Sequence, residues 1–239
     1  MIIRAIWWTF LGVIAIVTAS VQLDRQSAVV TQIAPNVPSP ARGFAQSQIV
    51  AQALLAQDND RAVSEARRLV ERRPIPAESL RLLAQAQFAA GQTDQSALTI
   101  QYAAQRGWRD PLAQESMLRL ALAADDAPEA ARRFAALFLF QGTDDALLEE
   151  LAPMVLGQPG GAGRQTLTDI VAGAERWHPH FVRRGARVLP AEGFVEIVIE
   201  AAAQGAIFEC DLLIGVRPMI EARSAGAHEP FDAFIARQC

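Results

Sequence analysis

From residue 44 to residue 140 the apolar positions fall into short helical stretches that come in pairs, and the pairs recur. Ala62, Ala97 and Ala131 stand 35 and 34 residues apart, and nine residues before each is an apolar position, Ala53, Phe88 and Leu122. A polar turn precedes each alanine: Gln57-Asp58-Asn59-Asp60, Gly91-Gln92-Thr93-Asp94 and Asp125-Asp126-Ala127-Pro128. Self-similarity at this period marks stacked helical hairpins, each of which needs its neighbour to bury its apolar side. The pattern predicts helix pairs over 44–56 and 59–73, over 77–90 and 93–106, and from Pro111 to near Gly142. Pro74 and Pro76 stop the first pair, and Gly107 caps the second. Asp110 with Pro111 opens the third pair, and Asp126-Ala127-Pro128-Glu129 opens its second helix as a variant capping box. Thr143 heads a further helix to about Leu156, with Asp144 and Asp145 in the favourable first turn.

The segments on either side carry different patterns. Residues 5–23 contain no charge. Nineteen helical residues span about 28 Å, close to the ~30 Å hydrocarbon core of a bilayer. This stretch is a membrane anchor, with Trp7 and Trp8 as interfacial aromatics, or a signal peptide with small residues around Val17-Thr18-Ala19. The anchor is the better reading. Arg4 and the large domain that follows favour an orientation with the C-terminal domain on the extracytoplasmic, periplasmic side. Residues 24–43 hold Pro35, Pro38 and Pro40, which forbid a continuous α-helix, so an extended linker is expected. Residues 157–163, GQPGGAG, read as a flexible joint. Beyond it, 165–175, 190–204 and 207–215 read as helices, Pro218 ends or bends the third, and 230–237 forms a last short one. These helices are expected to cap the end of the repeat array.

Composition narrows the function. The net charge is −4, which implies no nucleic-acid partner, and all 22 basic residues are Arg. Solvated surface explains most of these, with bidentate contacts as the alternative. The Gly-rich stretch lacks the Lys-Ser/Thr of a phosphate loop. His178-Pro179-His180 has neither the spacing nor the extra ligands of a metal site and reads as a helix-entry turn. Cys210 lies beside an apolar run that disfavours a reactive thiolate. Glu149 and Glu150 are neighbours on a helix and diverge by roughly 100°. No catalytic, cofactor or metal residue emerges, so a non-enzyme is expected. Cys210 and Cys239 allow one disulfide in an oxidising compartment.

The repeated unit resembles the tetratricopeptide repeat in its period and in the small residue on each second helix, at Ala62, Ala97 and Ala131. The large apolar position of the first helix is kept at Phe88 and Leu122. The pattern departs from the family where Ala53 replaces an aromatic, where Gly appears in only one turn, and at Gln101. The resemblance covers about 100 residues. It implies an all-α solenoid of helical hairpins with a concave groove that binds a protein segment. Transferred through the alanine register, the groove positions are Phe44, Ala51 and Leu54, then Leu82, Ala86 and Ala89, then Leu120 and Ala123. Such a groove is apolar, and the resemblance implies that an amphipathic helix fills it, from a partner or from the chain's own segment around Phe231 and Phe234. Proteins of this kind act as scaffolds or adaptors in envelope secretion or polysaccharide assembly, an analogy at the level of fold. The alternatives are an enzyme with an unrecognised site in 164–239 and a structural subunit of a membrane complex.

Overall fold

The computed structural model describes residues 2–239 and is all-α: among the described residues there are thirteen α-helices, three 3-10 turns and no strand. The helices are α1 (Ile2–Ser27), α2 (Phe44–Leu55), α3 (Asn59–Arg72), α4 (Ala77–Ala89), α5 (Thr93–Arg106), α6 (Pro111–Ala123), α7 (Ala127–Leu139), α8 (Asp145–Leu156), α9 (Ala162–Ala172), α10 (His178–Val188), α11 (Ala191–Ala203), α12 (Cys210–Arg223) and α13 (Ala225–Gln238). The chain divides into two compact units, one ending at Ala113 and the other covering Gln114–Cys239.

In the first unit α1 has two parts. Its apolar body is long and hydrophobic enough to cross a membrane, with a mean hydropathy of 1.8, and is not buried by the rest of the chain. Its last turn is different. Asp24 and Ser27 are buried there, and the Asp24 carboxylate accepts hydrogen bonds from the backbone N–H groups of Gly43, Phe44 and Ala45 at 2.8–3.1 Å. Those are the orphan donors at the start of α2, whose own N-cap residue, Gly43, has no side chain to offer. A carboxylate is the best cap for them, because it meets both the free donors and the positive end of the helix dipole.

The segment between α1 and α2 is a folded strap rather than the extended linker expected from its prolines. It forms 3-10 turns over Thr31–Asn36 and Ser39–Ala41. Ala34 and Val37 are buried against Ala45 and Ile49 of α2. Gln52 of α2 donates to the Thr31 carbonyl, and Arg42 donates to the carbonyls of Pro35 and Val37. Proline forbids α-helix here but not the tighter turn, and the two apolar positions decide the outcome by burial.

The hairpins recur with a period of 34. The second helices start at Asn59, Thr93 and Ala127, and the first helices end at Leu55, Ala89 and Ala123. Each turn passes through one left-handed residue: Gln57 (φ 57°), Gly91 (φ 75°) and Asp125 (φ 56°). The next N–H closes on a carbonyl five residues back, Asp58 on Ala53, Gln92 on Gln87 and Asp126 on Ala121, at 2.8–3.0 Å. This is the Schellman closure, which satisfies carbonyls that a helix end leaves free. It tolerates Gln and Asp at the left-handed position at a cost of about 1–2 kcal/mol, so Gly need not recur.

The constant period corrects the alanine register. The buried small residues that match are Ala62, Ser96 and Ala130, and Ala97 and Ala131 are each one position late. Ser96 evades a search for alanine, yet it is buried because its hydroxyl donates to the Ala84 carbonyl at 2.8 Å. The same shift takes Phe88 out of the core. It is 67% exposed, and Gln87 holds the inner place.

The second unit has one core, built by α6–α13. A ladder of rings runs through it, Phe134–Phe138–Phe181–Phe194–Phe231, with successive centroids 5.7–6.3 Å apart. Phe231 and Phe234 are therefore core residues of this unit, not a segment free to fill a groove. α10 was not foreseen beyond its entry turn at His178. Asp144 rather than Thr143 caps α8, accepting from the Ala146 N–H. Pro218 does not end its helix but lies inside α12, and Pro230 does not open the last helix but lies inside α13, which starts at Ala225. Both are exposed, so water takes the carbonyls that the missing N–H groups leave free. The cysteines Cys210 and Cys239 are joined, with Cα atoms 5.7 Å apart, fastening the start of α12 to the end of α13.

The Gly-rich stretch, expected to be a flexible joint, makes specific contacts. Gly160 N–H donates to Glu196, and Gly163 lies in the first turn of α9, where a Cβ would come within 2.2 Å of the Val155 carbonyl oxygen. Gly163→Ala should therefore destabilise the protein by about 1–3 kcal/mol through overpacking. Gly215→Ala, which meets nothing within 4 Å, should be neutral or stabilise by up to about 1 kcal/mol. Urea midpoints at equal slope measure both, and equal effects would contradict the packing at Gly163.

Candidate functional site

The eight groove positions expected from the repeat do not share one environment. In the first unit Leu82 and Ala86 are core residues, 7% and 0% exposed, packed with Val50, Ala53, Ala62, Val63, Ala66 and Leu69. Phe44 and Ala89 are exposed, and Ala51 and Leu54 are half-buried. In the second unit Leu120 and Ala123 are exposed. The reason is the one-residue error in register, which on a helix rotates a position by roughly 100°. With the period of 34, the equivalents of Ala51 are Gln85 and Arg119, and those of Leu54 are Phe88 and Leu122. Gln85 and Phe88 are exposed, as is Leu55 beside them in the repeat. The candidate recognition surface of the first unit is therefore the row Ala51, Leu54, Leu55, Gln85, Phe88 and Ala89, which mixes apolar groups with one amide. Next to it the turn Gln57–Asp60 lines an open polar hollow with Ala89 and Ala90.

The second unit contains a cleft of about 540 Å³ lined by Glu149, Arg164, Arg187, Glu192 and Arg223, among others. Its arginines and Glu192 are engaged in structure. Arg164 is buried, donates to the carbonyls of Leu156 and Gly157 at the end of α8, and pairs with Glu196. Arg223 donates to the carbonyls of Ala186 and Leu189 at the end of α10. Arg184, also buried, spans the carbonyls of Phe138, Phe140 and Thr143 after α7 and pairs with Asp145. Each guanidinium satisfies carbonyls that the preceding helix leaves open, and its charge meets the negative end of the dipole. Nothing in their spacing distinguishes these three arginines in the sequence; the total absence of Lys was the one available hint.

The histidines are likewise placed by structure. His178 opens α10, with its ring nitrogens 2.9 Å from the carbonyls of Val171 and Ile207, and His180 Nε2 is 3.3 Å from the Phe138 carbonyl. Among the described residues no cluster of three or more His, Cys, Asp or Glu is arranged to hold a metal ion. No protein-family model, curated protein or solved structure matches this chain.

Three carboxyls titrate below their ordinary range. Burial pushes Glu129 up, but hydrogen bonds and charge from Arg132 and Arg133 outweigh it. The Ser224 hydroxyl holds Glu192 down, and the Arg217 guanidinium holds Asp232 down. The last two fasten α13, Glu192 through its cap Ser224 and Asp232 across to α12. A carboxyl with a lower pKa folded than unfolded stabilises above its unfolded value, about 4, and loses that contribution as pH falls through the folded one. The thermal midpoint should therefore drop as pH is lowered below about 4, and Asp232→Asn should flatten the drop. An unchanged acid slope in Asp232→Asn would remove Asp232 from the account.

Proposed function

We propose that this chain is a membrane-tethered, tetratricopeptide-like scaffold that holds a protein partner on its repeat hairpins. The observation that carries the proposal is the constant 34-residue recurrence of helix start, left-handed turn and Schellman closure across three hairpins, directly after a helix long enough to cross a membrane. The recurrence supports a solenoid, the architecture whose exposed rows serve as recognition surfaces. The disulfide between Cys210 and Cys239 supports an extracytoplasmic, periplasmic location for the second unit, since such bonds persist in oxidising compartments. The reading as a non-enzyme is supported by the cleft of the second unit, whose arginines are turned to helix-end carbonyls and to the carboxylates of Glu196 and Asp145. Envelope secretion and polysaccharide assembly are the processes that fold-level analogy suggests.

The partner row is tested by separating surface from core. Leu55→Gln with Phe88→Gln changes only exposed side chains, so the purified chain should keep its helicity and melting temperature while losing a stoichiometric partner recovered from gently solubilised membranes. Leu82→Glu buries a charge and should instead unfold the first unit, at a cost of several kcal/mol. Retained partner in the surface variant would reject this row, and a folded Leu82→Glu protein would reject the core assignment.

A further inference from the structure

The Asp24 contact fixes which end of the first unit faces the bilayer. Asp24 lies at the start of α2, while Thr31, seven residues later, is at Gln52 near its end. The chain thus enters the unit at the N-terminal end of α2, next to the last turn of α1, whose apolar body is not buried by the rest of the chain. α3 returns antiparallel, so its last residues, Arg72 and Arg73, lie at the same end: Arg72 donates to Gln46 and Ser39, and Arg73 lies over the Phe44 ring at 4.5 Å. The end of α5 follows, because Arg106 donates to the Pro74 carbonyl and Gly107 abuts Ala77. One continuous edge therefore carries Arg72, Arg73, Ile75, Arg106, Trp108 and Arg109. Ile75 is 84% and Trp108 54% exposed. Arg109 lies over the Trp108 ring at 4.7 Å, and among the described residues none of the four arginines is paired with a carboxylate. Glu71 and Glu78 reduce the positive excess at this edge without cancelling it. The opposite edge, at the hairpin turns, carries Asp58, Asp60 and Asp94.

We infer that this arginine and aromatic edge rests on the bilayer surface and binds anionic phospholipid headgroups, so that the first unit is held against the membrane rather than away from it. The inference rests on α1 crossing the membrane. Arginine attracts phosphate, exposed Trp is at home among headgroups, and Ile75 gains burial there that the fold does not provide. Helix dipoles alone account for Arg at the ends of α3 and α5, but not for an exposed Ile and Trp beside them.

The test uses the full chain, disulfide intact, in vesicles of phosphatidylcholine with or without roughly one-third phosphatidylglycerol. A polarity-sensitive label is placed through Ile75→Cys on the edge, Thr93→Cys on the opposite edge, or Val13→Cys within α1, and is quenched by spin-labelled lipid. Quenching at position 75 should exceed that at 93 severalfold. It should rise with phosphatidylglycerol and fall when salt goes from about 0.1 to 1 M, which shortens the screening length from about 10 to 3 Å. Arg73→Gln with Arg109→Gln should lower it at unchanged circular dichroism. Deep quenching at 13 with equal, weak quenching at 75 and 93 overturns the docked edge but not the anchor. A label at 13 exposed to water overturns both. Quenching at 75 that ignores lipid charge and salt overturns the recognition of anionic headgroups.

Discussion

Three backbone N–H groups at the start of α2 have no partner in their own helix, and one carboxylate from another helix meets all of them. Gly43 makes that approach feasible, since a Cβ there would already be 3.0 Å from the Asp24 oxygen. The bond set joins the one long apolar helix among the described residues to the first hairpin and folds the intervening strap over both. Capping of this kind contributes about 1–2 kcal/mol. Its larger effect is geometric. It turns a tether, which would let the unit tumble, into a joint with a direction, and the charge and aromatic distribution of the first unit acquires a meaning only once that direction is known.

The second unit solves the same problem of helix ends with arginine. α7, α8 and α10 end in carbonyls that have no Schellman turn to close them, and Arg184, Arg164 and Arg223 reach in from elsewhere in the sequence to do so. A planar, permanently charged fork suits several carbonyls at once, where an ammonium offers a single point. The three hairpin turns close through the backbone, as does the end of α11 at Gly205, whereas the ends of α7, α8 and α10 are closed by side chains.

The helices of the hairpin region were legible to within a residue or so because each boundary is written locally, in a polar turn, a proline or a capping Asp. The register was not, because it depends on which small residue faces the neighbouring helix, and Ser96 hides that role behind a hydroxyl satisfied only in three dimensions. The same error placed Leu82 and Ala86 on a free face. The cap from Asp24 and the clamps of Arg184 and Arg223 join residues from about 19 to 46 positions apart, and nothing local announces them. Pro218 and Pro230 sit inside helices for the opposite reason: their local preference against helix is strong, and exposure of the freed carbonyls to water overrides it.

The central claim is that Asp24 joins the apolar helix to the first hairpin through the amides of Gly43, Phe44 and Ala45. Hydrogen exchange of those amides, measured in the full chain in lipid nanodiscs, tests it directly. They should exchange slowly in the native chain, and Asp24→Ala should bring them close to the rate of an open turn while leaving the amides of the second unit unchanged. Amides at Gly43–Ala45 that exchange as freely in the native chain as in Asp24→Ala would contradict the joint and the orientation drawn from it.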